Sequence, residues 1–170
     1  MQKNSEQIVI GIDPGTANMG YSLLLKKGNK LSLLKYGCIT TSAKTALPKR
    51  LAKINSELKK ILKKYKPEVM AIENLFFSKN VKTAISVAQA RGVALLSAAQ
   101  ADIETFSYNP QQVKQAVTGY GRADKKQVQE MTKRLLNLSK IPKPDDAADA
   151  IAIAYCHLQS ARNYNIKQEF

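Results

Sequence analysis

Apolar positions along the chain switch between two periods, and the switches divide it into elements. The unbroken run Ile8-Val9-Ile10-Gly11-Ile12 leads into Asp13 and reads as a buried strand over 8–13. Tyr21-Ser22-Leu23-Leu24-Leu25 reads as a second, and the Gly28-Asn29 turn suggests a hairpin into a third around 31–40. Beyond that the period changes. Leu47, Leu51, Ile54, Leu58, Ile61 and Leu62 recur at spacings of three and four, which predicts an amphipathic helix. Pro67 stops it, and 68–73 reads as a short buried strand. A second helix over 80–100 is rich in small residues, among them Ala84, Ala88, Ala90, Gly92, Ala94 and Ala98. Ile103 to Tyr108 reads as a last strand, and Pro110 to Val117 as a short helix. Asp124, with Gln127 three residues on, has the form of an N-cap for a helix bearing Val128, Met131, Leu135 and Leu136. Pro142 and Pro144 introduce a final helix from about Asp145 to Ser160.

Strands in hairpins followed by alternating helices and strands predict an α/β fold, a mixed five-stranded sheet flanked by helices. No repeat, low-complexity segment or interdomain linker interrupts the pattern. Residues 1–160 are therefore expected to form a single domain, and the polar residues 161–170 a frayed C-terminal tail.

Charge changes the picture. The chain has 27 Lys and Arg against 13 Asp and Glu, a net charge of +14, which concentrates polyanions near its surface; nucleic acid is the commonest. No helix pattern sets a wide Trp/Phe/Leu face against a lysine face, and no apolar stretch approaches the roughly 20 residues of a membrane span. The start, Met1 to Gln7, lacks the layout of a signal peptide, so no membrane association and a cytoplasmic location are expected. Cys38 and Cys156 have no CxxC spacing and read as reduced, packed thiols rather than a zinc site or disulfide.

Against this basic background, four acids stand where acids are expensive. Asp13 ends one apolar run, Glu73 ends Val69-Met70-Ala71-Ile72, and Asp146 and Asp149 lie within an otherwise alanine-rich helix start. Desolvation and mutual repulsion both oppose ionisation of such a group, and a divalent cation offsets both. If the first and fourth strands are neighbours, Asp13 and Glu73 emerge on one rim of the sheet. Asp146 and Asp149, three residues apart, share a helix face, in a first turn whose dipole favours the ionised form. Oxygen donors suit hard cations such as Mg²⁺ or Mn²⁺, and two such ions can serve phosphodiester hydrolysis.

Several blocks in order carry a resemblance: Gly11-Ile12-Asp13-Pro14-Gly15 with Gly20-Tyr21; Ala71-Ile72-Glu73 followed by Phe76; Gln89-Ala90-Arg91-Gly92-Val93-Ala94; Gln112-Val113-Lys114-Gln115; and Asp146-Ala147-Ala148-Asp149-Ala150. From about Ile8 to His157 the chain resembles the RuvC family of Holliday junction resolvases. The resemblance implies an RNase H-like fold and a homodimer. It also implies Mg²⁺-dependent, symmetric nicking of four-way DNA junctions in homologous recombination and DNA repair. It places metal-binding, catalytic carboxylates at Asp13, Glu73, Asp146 and Asp149; some family members carry His at the position of Asp146. Two ions per site are expected, with Mn²⁺ able to substitute, and the branch-migration proteins RuvA and RuvB as partners. DNA contacts are expected from Phe76, Lys114, Lys125 and Arg122.

Each of these residues also has a plainer reading. Asp13-Pro14-Gly15 could be only a turn, and Asp145 reads as an N-cap. Phe76 and Phe77 cannot both face one core from a strand, so one could stack on an opened base or both could plug a gap. The lysine row Lys49, Lys53, Lys59, Lys60, Lys63 and Lys64 fits a solvated face as well as DNA. His157 reads as structural or surface. The small-residue helix 80–100 could pack flat on the sheet or meet a symmetry mate. Three rival functions remain: an actin-like or sugar-kinase ATPase, which Asp13-Pro14-Gly15-Thr16 also fits but which needs two such domains; a non-enzymatic DNA-structure binder; and a nuclease acting on another branched or RNA substrate.

Overall fold

A computed structural model describes residues 6–75 and 81–160. Ten elements follow in chain order: β1 (Glu6–Asp13), β2 (Asn18–Lys27), β3 (Lys30–Thr40), α1 (Leu47–Tyr65), β4 (Val69–Glu73), α2 (Val81–Gln100), β5 (Glu104–Tyr108), α3 (Pro110–Thr118), α4 (Lys125–Leu135) and α5 (Asp145–Ser160). The sheet order is β3-β2-β1-β4-β5. β1, β2 and β3 form antiparallel hairpins, whereas β1–β4 and β4–β5 are parallel, so the sheet is mixed as expected. β2 runs three residues earlier and two later than its apolar core predicts. Its polar ends Asn18, Lys26 and Lys27 are held by ladder bonds to β1 and β3, which hydrophobicity does not report.

Side chains alternate across a strand, and the two faces of the sheet are covered differently. One face sets Ile10, Ile12, Met19, Leu23, Met70 and Ile72 against Ile54, Leu58 and Leu62 of α1 and Ala90, Ala94 and Ala98 of α2. Each large aliphatic buried there contributes about 1.5–3 kcal/mol. The opposite face sets Val9, Leu24, Val69 and Ala71 against the alanine-rich α5, with α3 and α4 outside it. α3 and α4 each begin with a reciprocal capping box, Asn109 with Gln112 and Asp124 with Gln127, the second as the sequence predicts. Between Leu23 and Leu24 the β2–β3 register shifts: Leu23 faces Lys35 and Leu24 faces Leu33, so Leu34 is an extra, exposed residue of β3.

Met1 to Ser5, Phe76 to Asn80 and the tail 161–170 lie outside the described residues, and with them the base-stacking reading of Phe76. Among the described residues, no helix is long and apolar enough to cross a membrane.

Candidate active site

Two adjacent parallel strands deliver the first pair of carboxylates. β1 and β4 pair Val9 with Val69 and run in register to Ile12 and Ile72, so Asp13 and Glu73 are the next residues on neighbouring strands. Alternation puts Val9, Gly11 and Asp13 on one face, together with Val69, Ala71 and Glu73. That is the face α5 covers. Arg91 of α2 fastens the strand end: its guanidinium donates to the Glu73 carbonyl (3.1 Å), to Asn74 Oδ1 (3.3 Å) and to Ser107 Oγ on β5 (2.7 Å).

The second pair arrives because α5 lies unusually close to the sheet. A Cβ at Gly20 would stand 2.0 Å from the Asp146 carbonyl oxygen, and one at Gly11 would stand 2.1 Å from that of Ala150. Gly20 is paired with Asp13 across β1–β2, so the start of α5 rests on the strand beside Asp13. Ser22 fixes the depth by donating its hydroxyl to the Ala150 carbonyl at 2.9 Å. Asp146 falls in the first turn of α5, but Asp149 is a turn further on, contrary to the expectation that both sit in the first. What favours the ionised form of Asp149 is therefore a lysine rather than the helix end.

That lysine is Lys125, the first residue of α4. Its ammonium lies 3.0 Å from Asp149 Oδ2 and 3.5 Å from Asp145 Oδ2. The electrostatics of the cluster follow from burial with few compensating charges. Burial, then the charges of Glu73, Asp149 and Asp146, push the Asp13 carboxyl up to about 8, with Lys125 as the opposing influence. Glu73 is raised by burial and by Asp149. Asp149 is raised by burial against the pull of Lys125. The Lys125 ammonium is itself opposed by burial but held above its ordinary range by Asp149 and Asp145. Mutually repelling, all-oxygen carboxylates fit a hard divalent cation, which would remove the cost of ionising them. Among the described residues no three acidic, His or Cys side chains already close into a ligand cage.

The crossover junction endodeoxyribonuclease RuvC family model matches residues 9–157. The chain belongs to the RuvC family. Its relatives named crossover junction endodeoxyribonuclease RuvC include one from Finegoldia magna, 58% identical over 150 residues, covering 88% of this chain and 92% of the relative. The one from Alkaliphilus oremlandii is 57% identical with the same coverage. Among solved structures, Thermus thermophilus RuvC in complex with a Holliday junction substrate superposes with a TM-score of 0.88 at 36% identity, over 92% of this chain and 95% of that one. The yeast mitochondrial Holliday junction resolvase shares the fold at 17% identity and a TM-score of 0.63. The RNase H-like fold and the crossover junction endonuclease function expected from the sequence stand on this membership.

Within this RuvC-family chain the remaining candidates are placed unevenly. Lys125 meets the cluster directly. Lys114 is half-buried on α3 and Arg122 is exposed in the α3–α4 loop; among the described residues neither contacts the four carboxylates. Asp145 is not the N-cap but the first residue of α5, where its carboxylate takes Lys143 Nζ at 2.7 Å as well as Lys125; the Pro144 carbonyl accepts from Ala147 and Ala148 instead. His157 is structural. It is buried, shares a 2.7 Å hydrogen bond with Tyr108, stacks on Phe106 at 4.8 Å, and is pushed down to about 4 by burial and by Lys26. Both cysteines are free thiols raised to about 11 by burial, Cys38 also by the charge of Asp146. Sequence reasoning gave no role to Arg91 beyond its place in a motif and none to Ser22. An arginine amid small helical residues and a serine within an apolar strand were the available signals.

Proposed function

We propose that Asp13, Glu73, Asp146 and Asp149 together hold two Mg²⁺ ions, with Mn²⁺ able to substitute, at the centre that cuts four-way DNA junctions. The observation that carries this reading is the meeting of Asp13, Glu73 and Asp149 on one face, each raised by burial and each sensing another's charge. Such ions supply an activated water and neutralise charge at the phosphodiester, giving a 5′-phosphate and a 3′-hydroxyl. The chain's own groups do the rest. β1 and β4 fix two carboxylates relative to each other, α5 brings two more, and Lys125 offers a cation for a phosphate oxygen at the rim. Lys114 and Arg122 serve DNA farther out, and Phe76 stacks on a base opened at the crossover. Residues 1–160 form the nuclease domain, with 161–170 as its tail, and the protein works in the cytoplasm.

Two equivalent strands of a junction call for two sites, so we read the working form as a homodimer. The exposed stripe of α2 supports this. Ile85 (53% exposed) and Leu96 (54%) lie on it with Gln89, Gly92 and Ala99, at spacings of four and three, and a Cβ on Gly92 would meet nothing within 4 Å. That is the spacing of a helix–helix seam. RuvA and RuvB are its partners on the family's account. The test is a labelled synthetic four-way junction against linear duplex of the same sequence, with and without Mg²⁺. Paired nicks at matching positions, on the junction alone and with Mg²⁺ alone, are expected. Equal cutting of linear duplex, or cutting in chelator, would overturn the reading.

A further inference from the structure

Lys125 is badly placed by its own helix. It opens α4, where the helix dipole repels a cation, and the first turn of α4 contains no acid. Its ammonium is fixed from outside, by Asp149 at 3.0 Å and Asp145 at 3.5 Å. The two carboxylates differ in surroundings. Asp149 belongs to the cluster with Asp13 and Glu73, whereas Asp145 is half exposed and takes Lys143 at 2.7 Å on its second oxygen. Asp145 also stands in the first turn of α5, whose dipole favours a carboxylate. Gln129, one turn along α4 from Lys125, is buried, and its Nε2 has no hydrogen-bond partner among the described residues.

We propose that Asp145 is a positioning residue: it holds the Lys125 ammonium at the rim of the carboxylate cluster, where the lysine meets a bound phosphodiester, and it continues to do so when Asp149 is engaged by other charges. The inference rests on the reading of the cluster as the cleavage site. Asp145 touches neither substrate nor reacting atoms. It works through Lys125, while Lys143 competes for the same carboxylate.

The test uses the full chain. In metal-free, DNA-free protein, the rate at which acetic anhydride modifies Lys125 is read by mass spectrometry, with Lys63 as internal reference. Asp145→Asn should speed modification about two- to fivefold, the range for losing one exposed ion pair, and Asp145→Glu should restore it. Lys143→Ala should slow it, because Asp145 is then left to Lys125 alone; a merely structural role would not give opposite signs. On a four-way junction with Mg²⁺, Asp145→Asn should lower kcat severalfold with KM unchanged. Unchanged modification of Lys125 in Asp145→Asn overturns the proposal, as does faster modification with unchanged kcat. Should Asp145→Asn fail to fold, the Lys143→Ala arm decides by its sign. Lys125→Ala tests the underlying reading separately: full cleavage by that variant removes the lysine from the site, whatever Asp145 does to its reactivity.

Discussion

The two faces of this sheet solve different problems with different residues. Beneath α1 and α2 the sheet presents Ile10, Ile12, Met19, Leu23, Met70 and Ile72, side chains that fill volume. Beneath α5 it presents Gly11, Gly20 and Ser22, and α5 answers with Ala147, Ala150 and Ala154, so backbone approaches backbone. A large-residue interface has many ways to relax; an interface of bare backbone has almost none. The carboxylates proposed as the cleavage centre gather on the second face, where the helix is held closely enough to bring acids from distant parts of the chain together.

The largest expected effect lies wholly on the α5 face. Glu73→Gln or Asp149→Asn should reduce junction cleavage by at least about a thousandfold, the scale of losing a group that organises charge in the transition state, while junction binding persists. Gel-shift and single-turnover assays on the same preparation check this. Near wild-type cutting would mean that the substituted carboxylate holds no cation.

The same face should also give an inverted pH response in chelator. Asp13 titrates near 8 when folded and at its ordinary 3.8 when unfolded, so the native state favours the protonated form. Stability is then fully present below about 4 and is lost as pH rises to about 8, on the order of 6 kcal/mol at most from this group. Glu73 and Asp149, also raised, act in the same direction. Urea midpoints of metal-free protein should fall between pH 5 and pH 8, and Asp13→Asn should flatten the slope. Greater stability of the metal-free wild type at pH 8 would break the picture of strained carboxylates.

A smaller effect compares the faces directly. Ile54→Ala beneath α1 should cost about 2–5 kcal/mol of stability yet leave cleavage per folded molecule unchanged. Gly20→Ala should cost about 3 kcal/mol or more, and the molecules that fold should still lose cleavage more than tenfold, because its Cβ would meet the Asp146 backbone and displace the start of α5. Denaturation curves paired with specific activity check both. Full activity in folded Gly20→Ala would erase the distinction.

Much of this was legible in the chain. Period switches, Pro67, and the Asp124–Gln127 pair located the elements to within a few residues, since those signals act over three or four positions. Asp13 and Glu73 were legible as acids at the ends of apolar runs. The strand order was not, and neither was the register that makes them neighbours, because ladder bonds between β1 and β4 join residues about sixty apart without leaving a local trace. Gly20 read as part of a motif, not as the floor under Asp146. Asp145 was misassigned as a cap because an acid after Pro144 has the local form of one; the cations that claim it, Lys125 and Lys143, approach through tertiary structure. Asp149 was placed one turn too early for a similar reason, its partner lying on another helix.

The extra residue in β3 bears on how the molecule behaves in company. β3 is an outer strand of the sheet, eleven residues long, and an open edge of that length invites another chain to add a strand. The bulge that throws Leu34 outward breaks the even row of donors and acceptors, and the exposed Lys30 and Lys35 put positive charge along it. The other outer strand, β5, has only five residues. Both margins of the sheet are thereby poor templates for aggregation, so the chain can be concentrated on a polyanion without zipping edge to edge into fibres.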